Sequence, residues 1–408
     1  MSKTELIPHL FRTEYGKLVS VLCKYFGLSH IEIAEDIVSN TFQKALETWP
    51  YHGVPDNPQA WLYTVAKNQA FTWIKRQQTF TEKVSKSLET EEDMSISIDL
   101  NEHTIEDSQL RMLYAIAHPS ISQESQIAMA LRILCGFGVD EIASAFLCTK
   151  ETINKRLYRA KKKLRDADIR LVLPEKHEIQ QRTNTVLLTL YLLFNEGYYS
   201  ESTEHLIRKD LCLEAMRLNY LLLSNSITQD HNTYALMALM CFQASRLDAR
   251  QNEQGELILY EDQNTGLWSN ELIEKGFYYL RKASIEEIPG KYYLEASIAY
   301  WHTIQEDSVE KWRSILSLYD ALLLLEPSPV IELNRIYALS KVEGIDAAIN
   351  SGSQLALTNN PFYHILMSNL TQVCDPKTSL HHLNRAIELS QSNRQKQWLQ
   401  KQLLKYSL

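Results

Sequence analysis

Turn punctuation is scarce in this chain: 12 glycines and 11 prolines serve 408 residues. A β-rich protein of that length needs frequent tight turns, and tight turns draw on glycine and proline. Long stretches repeat apolar residues at helical steps instead. In "IEIAEDIVSNTFQKALETW" the apolar residues Ile33, Ile37, Phe42, Ala45 and Trp49 recur every three to five positions, which suits a helix rather than a strand. The expected fold class is all-α, and the length suits two or three domains with cores of their own.

Composition narrows the function classes. The apolar share of 45% is that of a globular chain. "MSKTELIPHLFRTEYGKL" has no signal-peptide core and no run of eighteen apolar residues occurs, so a soluble cytoplasmic protein without membrane contact is expected. Cys23, Cys135, Cys148, Cys212, Cys241 and Cys374 form no CxxC pair or Cys/His cluster, which predicts buried reduced thiols and no metal or cofactor.

Charge is unevenly placed. Lys150 to Arg165 holds eight Lys/Arg against Glu151, a net of +7 in a chain whose formal charge is −8, so the remainder sums to about −15. Within "TKETINKRLYRAKKKLR" the apolar Ile153, Leu157, Ala160 and Leu164 fall on one helix side. Asn154, Tyr158 and Arg165 line one flank of it, and Lys155, Arg159 and Lys162 the next. Upstream, "VDEIASAFLCTK" reads as a short helix, a turn and Thr149 as N-cap. The pair predicts a helix-turn-helix whose second helix enters a major groove. Lysines would neutralise phosphates, while Asn154 and Lys155 suit base edges.

A second constellation is "PDNPQAWLYTVAKNQAFTWIKRQ", preceded by a loop read from "PYHGVPDNP". Trp61, Phe71 and Trp73 interleave with Asn68, Lys75 and Arg76, a combination suited to unstacked single-stranded bases. Between the two constellations, residues 81 to 110 carry nine acids against Lys83 and Lys86 and read as an acidic mobile linker. Pro174 closes the second block, and the remaining 230 or so residues read as helical hairpins. "SLYDALLLLEPSPVIELNRIYALSKVEGIDAAI" and "PFYHILMSNLTQVCDPKTSLHHLNRAIELSQSN" lie near the 34-residue period of tetratricopeptide repeats.

Chemistry of other kinds finds no purchase. "NEGYY" at 195–199 reads as a helix end closing on Gly197 over packed tyrosines rather than as a catalytic Glu196. His381 and His382 are adjacent and so point about 100° apart on a helix, which makes no chelating pair. No nucleophile with its base and no phosphate loop is present in the sequence, so an enzyme is not expected.

Two DNA-facing elements joined by an acidic linker resemble bacterial RNA polymerase sigma factors of the extracytoplasmic-function type. "AEDIVSNTFQKALETW" is similar to their region 2 core-binding helix, "AWLYTVAKNQAFTWIKR" to the segments that melt and read the −10 element, and "DEIASAFLCTKETINKRLYRAKKKLR" to region 4, which reads the −35 element. "VLLTLYLLFNEGYYSES", "LILYEDQNTGLW" and "SLYDALLLLEPSPVIELNR" look like the subgroup with a long tetratricopeptide-like extension.

The resemblance implies residues 1–80 as region 2, 81–110 as linker, 111–173 as region 4 and 174–408 as a helical regulatory domain. It implies Glu35, Asp36 and Phe42 on the surface that grips the polymerase β′ clamp helices, with the β flap as a further partner. Trp61, Asn68, Trp73, Lys75 and Arg76 fall near the −10 element, and Thr149, Lys150, Thr152, Asn154, Lys155, Tyr158 and Arg159 near the −35 element. Ser39 and Asn40 stand where many relatives have Gln-Glu, which loses a carboxylate from the core-binding helix; Asn154 stands where many have arginine. A protein, peptide or small molecule meeting the extension is the implied regulator. The alternatives are a helix-turn-helix regulator working without polymerase and a repeat-domain adaptor.

Overall fold

The computed structural model describes the chain except residues 1–2, 85–97, 147, 199–207, 253–257, 259, 285–288, 391–392 and 406–408. The described residues form eighteen α-helices and no β-strand. They divide into two compact units, Met1–Gln229 and Asp230–Leu408.

The first unit begins with α1 (Lys3–Phe26), α2 (Ile31–His52) and α3 (Pro58–Val84). The core face of α2 is largely the one its periodicity predicts, with Ile37, Phe42, Ala45 and Trp49 buried and Ile33 half-buried. The loop after it is shorter than "PYHGVPDNP" suggests: α2 runs through Pro50 to His52 and stops at Gly53, whose φ is 84°. Next come α4 (Glu102–Ile116), α5 (Gln123–Met129) and a π-helical turn over Ala130–Leu134. The linker expectation for 81–110 is thus corrected at both ends. Residues 81–84 finish α3 and α4 opens at Glu102, capped by Asn101, whose Oδ1 accepts from the Thr104 amide at 2.7 Å. Most of the remainder lies outside the described residues.

α6 (Val139–Ala145) and α7 (Lys150–Asp166) form the helix-turn-helix, followed by α8 (Lys176–Tyr198) and α9 (Lys209–Leu223). Gly197 lies inside α8. A Cβ there would sit 2.7 Å from the Arg208 carbonyl oxygen and 2.9 Å from Cys212 Sγ, so the glycine lets α9 pack closely on α8. α8 and α9 belong to the first unit, where the sequence expectation ended the DNA-binding part at Pro174. Tyr114 Oη lies 2.6 Å from Thr183 Oγ1, Arg182 donates to the Tyr114 carbonyl at 2.7 Å, and Thr189 donates to Gln126 Oε1 at 3.4 Å.

The second unit holds α10 (His231–Ala244), α11 (Asn270–Ala283), α12 (Lys291–Trp301), α13 (Val309–Leu325), α14 (Pro329–Val342), α15 (Ile345–Ser353), α16 (Pro361–Thr371), α17 (Pro376–Leu389) and α18 (Asn393–Lys405). Pro329, Pro361 and Pro376 each open a helix at its first turn, where a missing amide hydrogen costs nothing. Trp312, Ile315, Leu316, Ala338 and Leu339 make one apolar cluster between α13 and α14, and Leu333, Ala348, Tyr363 and Met367 make the next. Lys311 is only 2% exposed, its ammonium donating to the Ile304 carbonyl at 2.7 Å and to Tyr260 Oη at 3.2 Å. His382 is paired not with His381 but with His364, their Nδ1 atoms 2.8 Å apart.

Candidate nucleic-acid interface

α7 has a buried apolar face and an exposed polar one, with Arg156 and Lys161 half-buried at the margin. Ile153, Leu157, Ala160 and Leu164 are buried, while Asn154, Lys155, Tyr158, Arg159 and Lys162 are exposed. Tyr158 keeps 59% of its surface, unusual for an aromatic that a core could have taken. Thr149 caps the helix, its Oγ1 accepting the Thr152 amide at 3.2 Å. Lys150 lies 2.5 Å from Asp140 of α6 and so braces the turn. Thr149, Lys150 and Thr152 therefore shape the helix start, and the outward stripe presents an exposed polar and cationic surface. At 17 residues the helix is about 25 Å long, enough to lie along a major groove.

The exposed residues of α3 include Thr64, Asn68, Thr72, Lys75 and Arg76, a stripe at near-helical spacing, with Gln59, Ala60 and Gln77 exposed towards its ends. Thr64 and Thr72 escape a reading focused on aromatics and cations, although their four-residue spacing from Asn68 signals the shared face. Their hydroxyls donate to the Ala60 and Asn68 carbonyls, both at 2.9 Å. The tryptophans differ from expectation. Trp61 packs edge-on against Trp49 at 5.4 Å, and Trp73 lies 4.6 Å from Phe26 and 5.2 Å from His30. Both are partly buried, because large rings on a helix gain more from core packing than from water.

Of the three α2 residues expected on a polymerase-facing surface, only Asp36 is exposed. Phe42 is 3% exposed and packs edge-on against Phe11 at 4.9 Å. Glu35 is 7% exposed and turned inward. It accepts from Tyr15 Oη at 3.2 Å and Lys161 Nζ, and pairs with Arg132 at 3.4 Å. Burial, with Glu35 close by, drives the Tyr15 hydroxyl above its ordinary range. The outward face of α2 includes Glu32, Asp36, Asn40, Gln43 and Glu47, with Lys44 and Leu46 exposed beside them.

Among the described residues no group of three or more His, Cys, Asp or Glu could hold a metal ion. No described helix is long and apolar enough to cross a membrane. Cys23, Cys135, Cys212 and Cys241 are buried free thiols, with Cys241 pushed up to about 12 by burial; Cys374, against expectation, is exposed.

A helical bundle, a helix-turn-helix with a cationic polar outer stripe and a helical extension define an all-helical protein of the helix-turn-helix DNA-binding class. Comparison with known proteins finds three family matches, the last of which crosses from the first compact unit into the second. Sigma-70 region 2 matches residues 10–80, sigma-70 region 4 matches 117–164, and a family of unknown function matches 182–284. An uncharacterized protein of Rhizobium meliloti (strain 1021) is 33% identical over 396 residues, covering 94% of this chain and 92% of its own. The RNA polymerase sigma factor YlaC of Bacillus subtilis (strain 168) is 22% identical over 172 residues, 40% of this chain and 93% of its own. No solved structure matches. The chain belongs to the extracytoplasmic-function RNA polymerase sigma factors and carries a C-terminal helical extension.

Proposed function

We propose that the protein directs core RNA polymerase to promoters whose −35 element is read by α7 and whose −10 element is read from the outward stripe of α3, and that its extension controls output in cis. The observation that carries this reading is the division of α7 into a buried apolar face and an exposed face of Asn154, Lys155, Tyr158 and Arg159. Lysine and arginine there supply phosphate affinity, and Asn154 a bidentate donor and acceptor for a base edge. Asn68, Lys75 and Arg76 would meet the opened −10 strand.

For the polymerase, the outward face of α2 supports Asp36, with Asn40 and Gln43 beside it, as the contact surface for the β′ clamp helices. Glu35 and Phe42 act from beneath by setting the pose of that helix. Asn40, where many sigma factors of this type place a carboxylate, makes the surface less acidic.

Reconstitution with bacterial core polymerase and a promoter library tests the reading. Initiated transcripts from a subset of promoters are expected. DNA binding without any promoter-dependent RNA would instead favour a helix-turn-helix regulator that works without polymerase.

A further inference from the structure

The buried carboxylate of Glu35 joins the segment matching sigma-70 region 2 to the segment matching region 4. Glu35 and Tyr15 stand on α2 and α1, inside the region 2 match; Lys161 and Arg132 stand on α7 and the π turn, inside the region 4 match. Arg12 of α1 pairs with Glu141 of α6 at 2.6 Å, and its guanidinium lies 3.6 Å from the centre of the Phe137 ring. Gly16 of α1 meets the π turn so closely that a Cβ would sit 2.2 Å from the Leu134 carbonyl oxygen.

The segment of unknown function closes the same seam. Arg208 lies 5.3 Å from the centre of the Phe137 ring that Arg12 also covers. Arg217 of α9 donates to the Leu134 carbonyl at 3.3 Å and to Gln109 Oε1 of α4 at 3.2 Å. Two arginines of the extension thus grip the residues by which region 4 docks on region 2.

In this docked form the promoter readers are too close together. α7 packs on the turn Leu28–His30 that leads into α2 and its Lys161 reaches Glu35 of α2, while α3 packs on that same α2, so two interhelical steps of about 10 Å put the two readers roughly 20 Å apart. The −35 and −10 elements lie about 25 base pairs apart, roughly 85 Å along duplex DNA at 3.4 Å per pair. One form cannot serve both elements.

We propose that α8 and α9 clasp region 4 onto region 2 in a closed, promoter-incompetent form, with the Glu35–Lys161 pair as its catch. A buried ion pair suits a catch: its attraction is largely offset by lost hydration, so both partners can return to water on opening, while a mismatched partner leaves a buried charge unpaired. This inference rests on the sigma reading and adds to it the sign of one contact.

The test uses the full chain with Lys161→Met, and Arg217→Gln as a second variant that leaves α7 untouched. Amide hydrogen exchange at residues 12–18 and 130–137 reports the seam without polymerase, and promoter-dependent transcription is measured at limiting core polymerase. Both variants are expected to exchange at least tenfold faster at the seam, to keep wild-type far-ultraviolet circular dichroism, and to give several-fold more transcript. Unchanged seam exchange in both overturns the clasp. So does a seam that opens without a gain in transcript over an active wild type. A wild type and variants all silent on every promoter would sink the sigma reading and the inhibitory clasp together, whereas an active wild type matched by its variants sinks the clasp alone. Should Lys161→Met fail to fold, the Arg217→Gln result decides.

Discussion

Arg217, on α9, holds the main-chain carbonyl oxygen of Leu134 at 3.3 Å, while Leu134 itself is a buried residue of the π turn more than eighty positions earlier. A side chain beyond Pro174 is therefore part of the packing of the helix-turn-helix block. Chain cut after Gln229 is expected to unfold cooperatively with near-native helicity. Chain cut after Pro174 strips α8 from α4 and α5 and should lose more than about 2 kcal/mol or aggregate, since several large apolar side chains become exposed. Urea denaturation of the two fragments checks this.

Gly16→Val should be among the most damaging single changes in α1. Its new atoms would meet the backbone of Ile133 and Leu134, which cannot turn aside as a side chain can. Overpacking of this kind costs about 1–3 kcal/mol. A chemical-denaturation midpoint equal to wild type would show that the α1 contact is looser than drawn.

On α7, Lys155→Ala with Arg159→Ala should weaken −35 duplex binding on every sequence and lower the slope of log affinity against log salt by about 2. Asn154→Ala should leave that slope alone and relax base preference at one position, worth about 1–3 kcal/mol of discrimination. Fluorescence anisotropy over a salt series, with a set of single-base variants, separates the two outcomes.

His302 supplies a pH dependence in the second unit. Burial, with the charges of Arg246 and Lys311 nearby, lowers it from 6.5 to about 3. A histidine held neutral in the fold stabilises nothing by protonation; the unfolded chain takes up the proton first. Stability of this unit should be full above about pH 6.5 and fall by roughly 1.4 kcal/mol per pH unit between about 6 and 3. Trp312, whose ring lies 5.9 Å from His302, gives a fluorescence probe. His302→Gln should flatten the acid limb; an unaltered limb would assign it to other groups.

How much of this was legible in the sequence depends on the range of the interactions. The core face of α7, its Thr149 cap and the core face of α2 follow from spacing alone, because a helix repeats every 3.6 residues and its caps act over one turn. Pro329 and Pro376 likewise mark helix starts in the repeat-like segments. The partial burial of Trp61 and Trp73 was not legible, because exposure is set by what lies opposite a side chain, and their partners Trp49, Phe26 and His30 lie elsewhere in the chain.

By itself, the sequence determined an all-helical chain, the order of its elements and the cationic stripe of α7, since these rest on local propensity, periodicity and charge. Only tertiary structure decided that Glu35 faces Lys161 rather than a partner protein, that Lys311 is buried, and that the first unit extends to Gln229. Burial of a charge depends on a counter-charge arriving from far along the chain. In Glu35 and Lys161 those partners are 126 residues apart, beyond the reach of any periodic pattern.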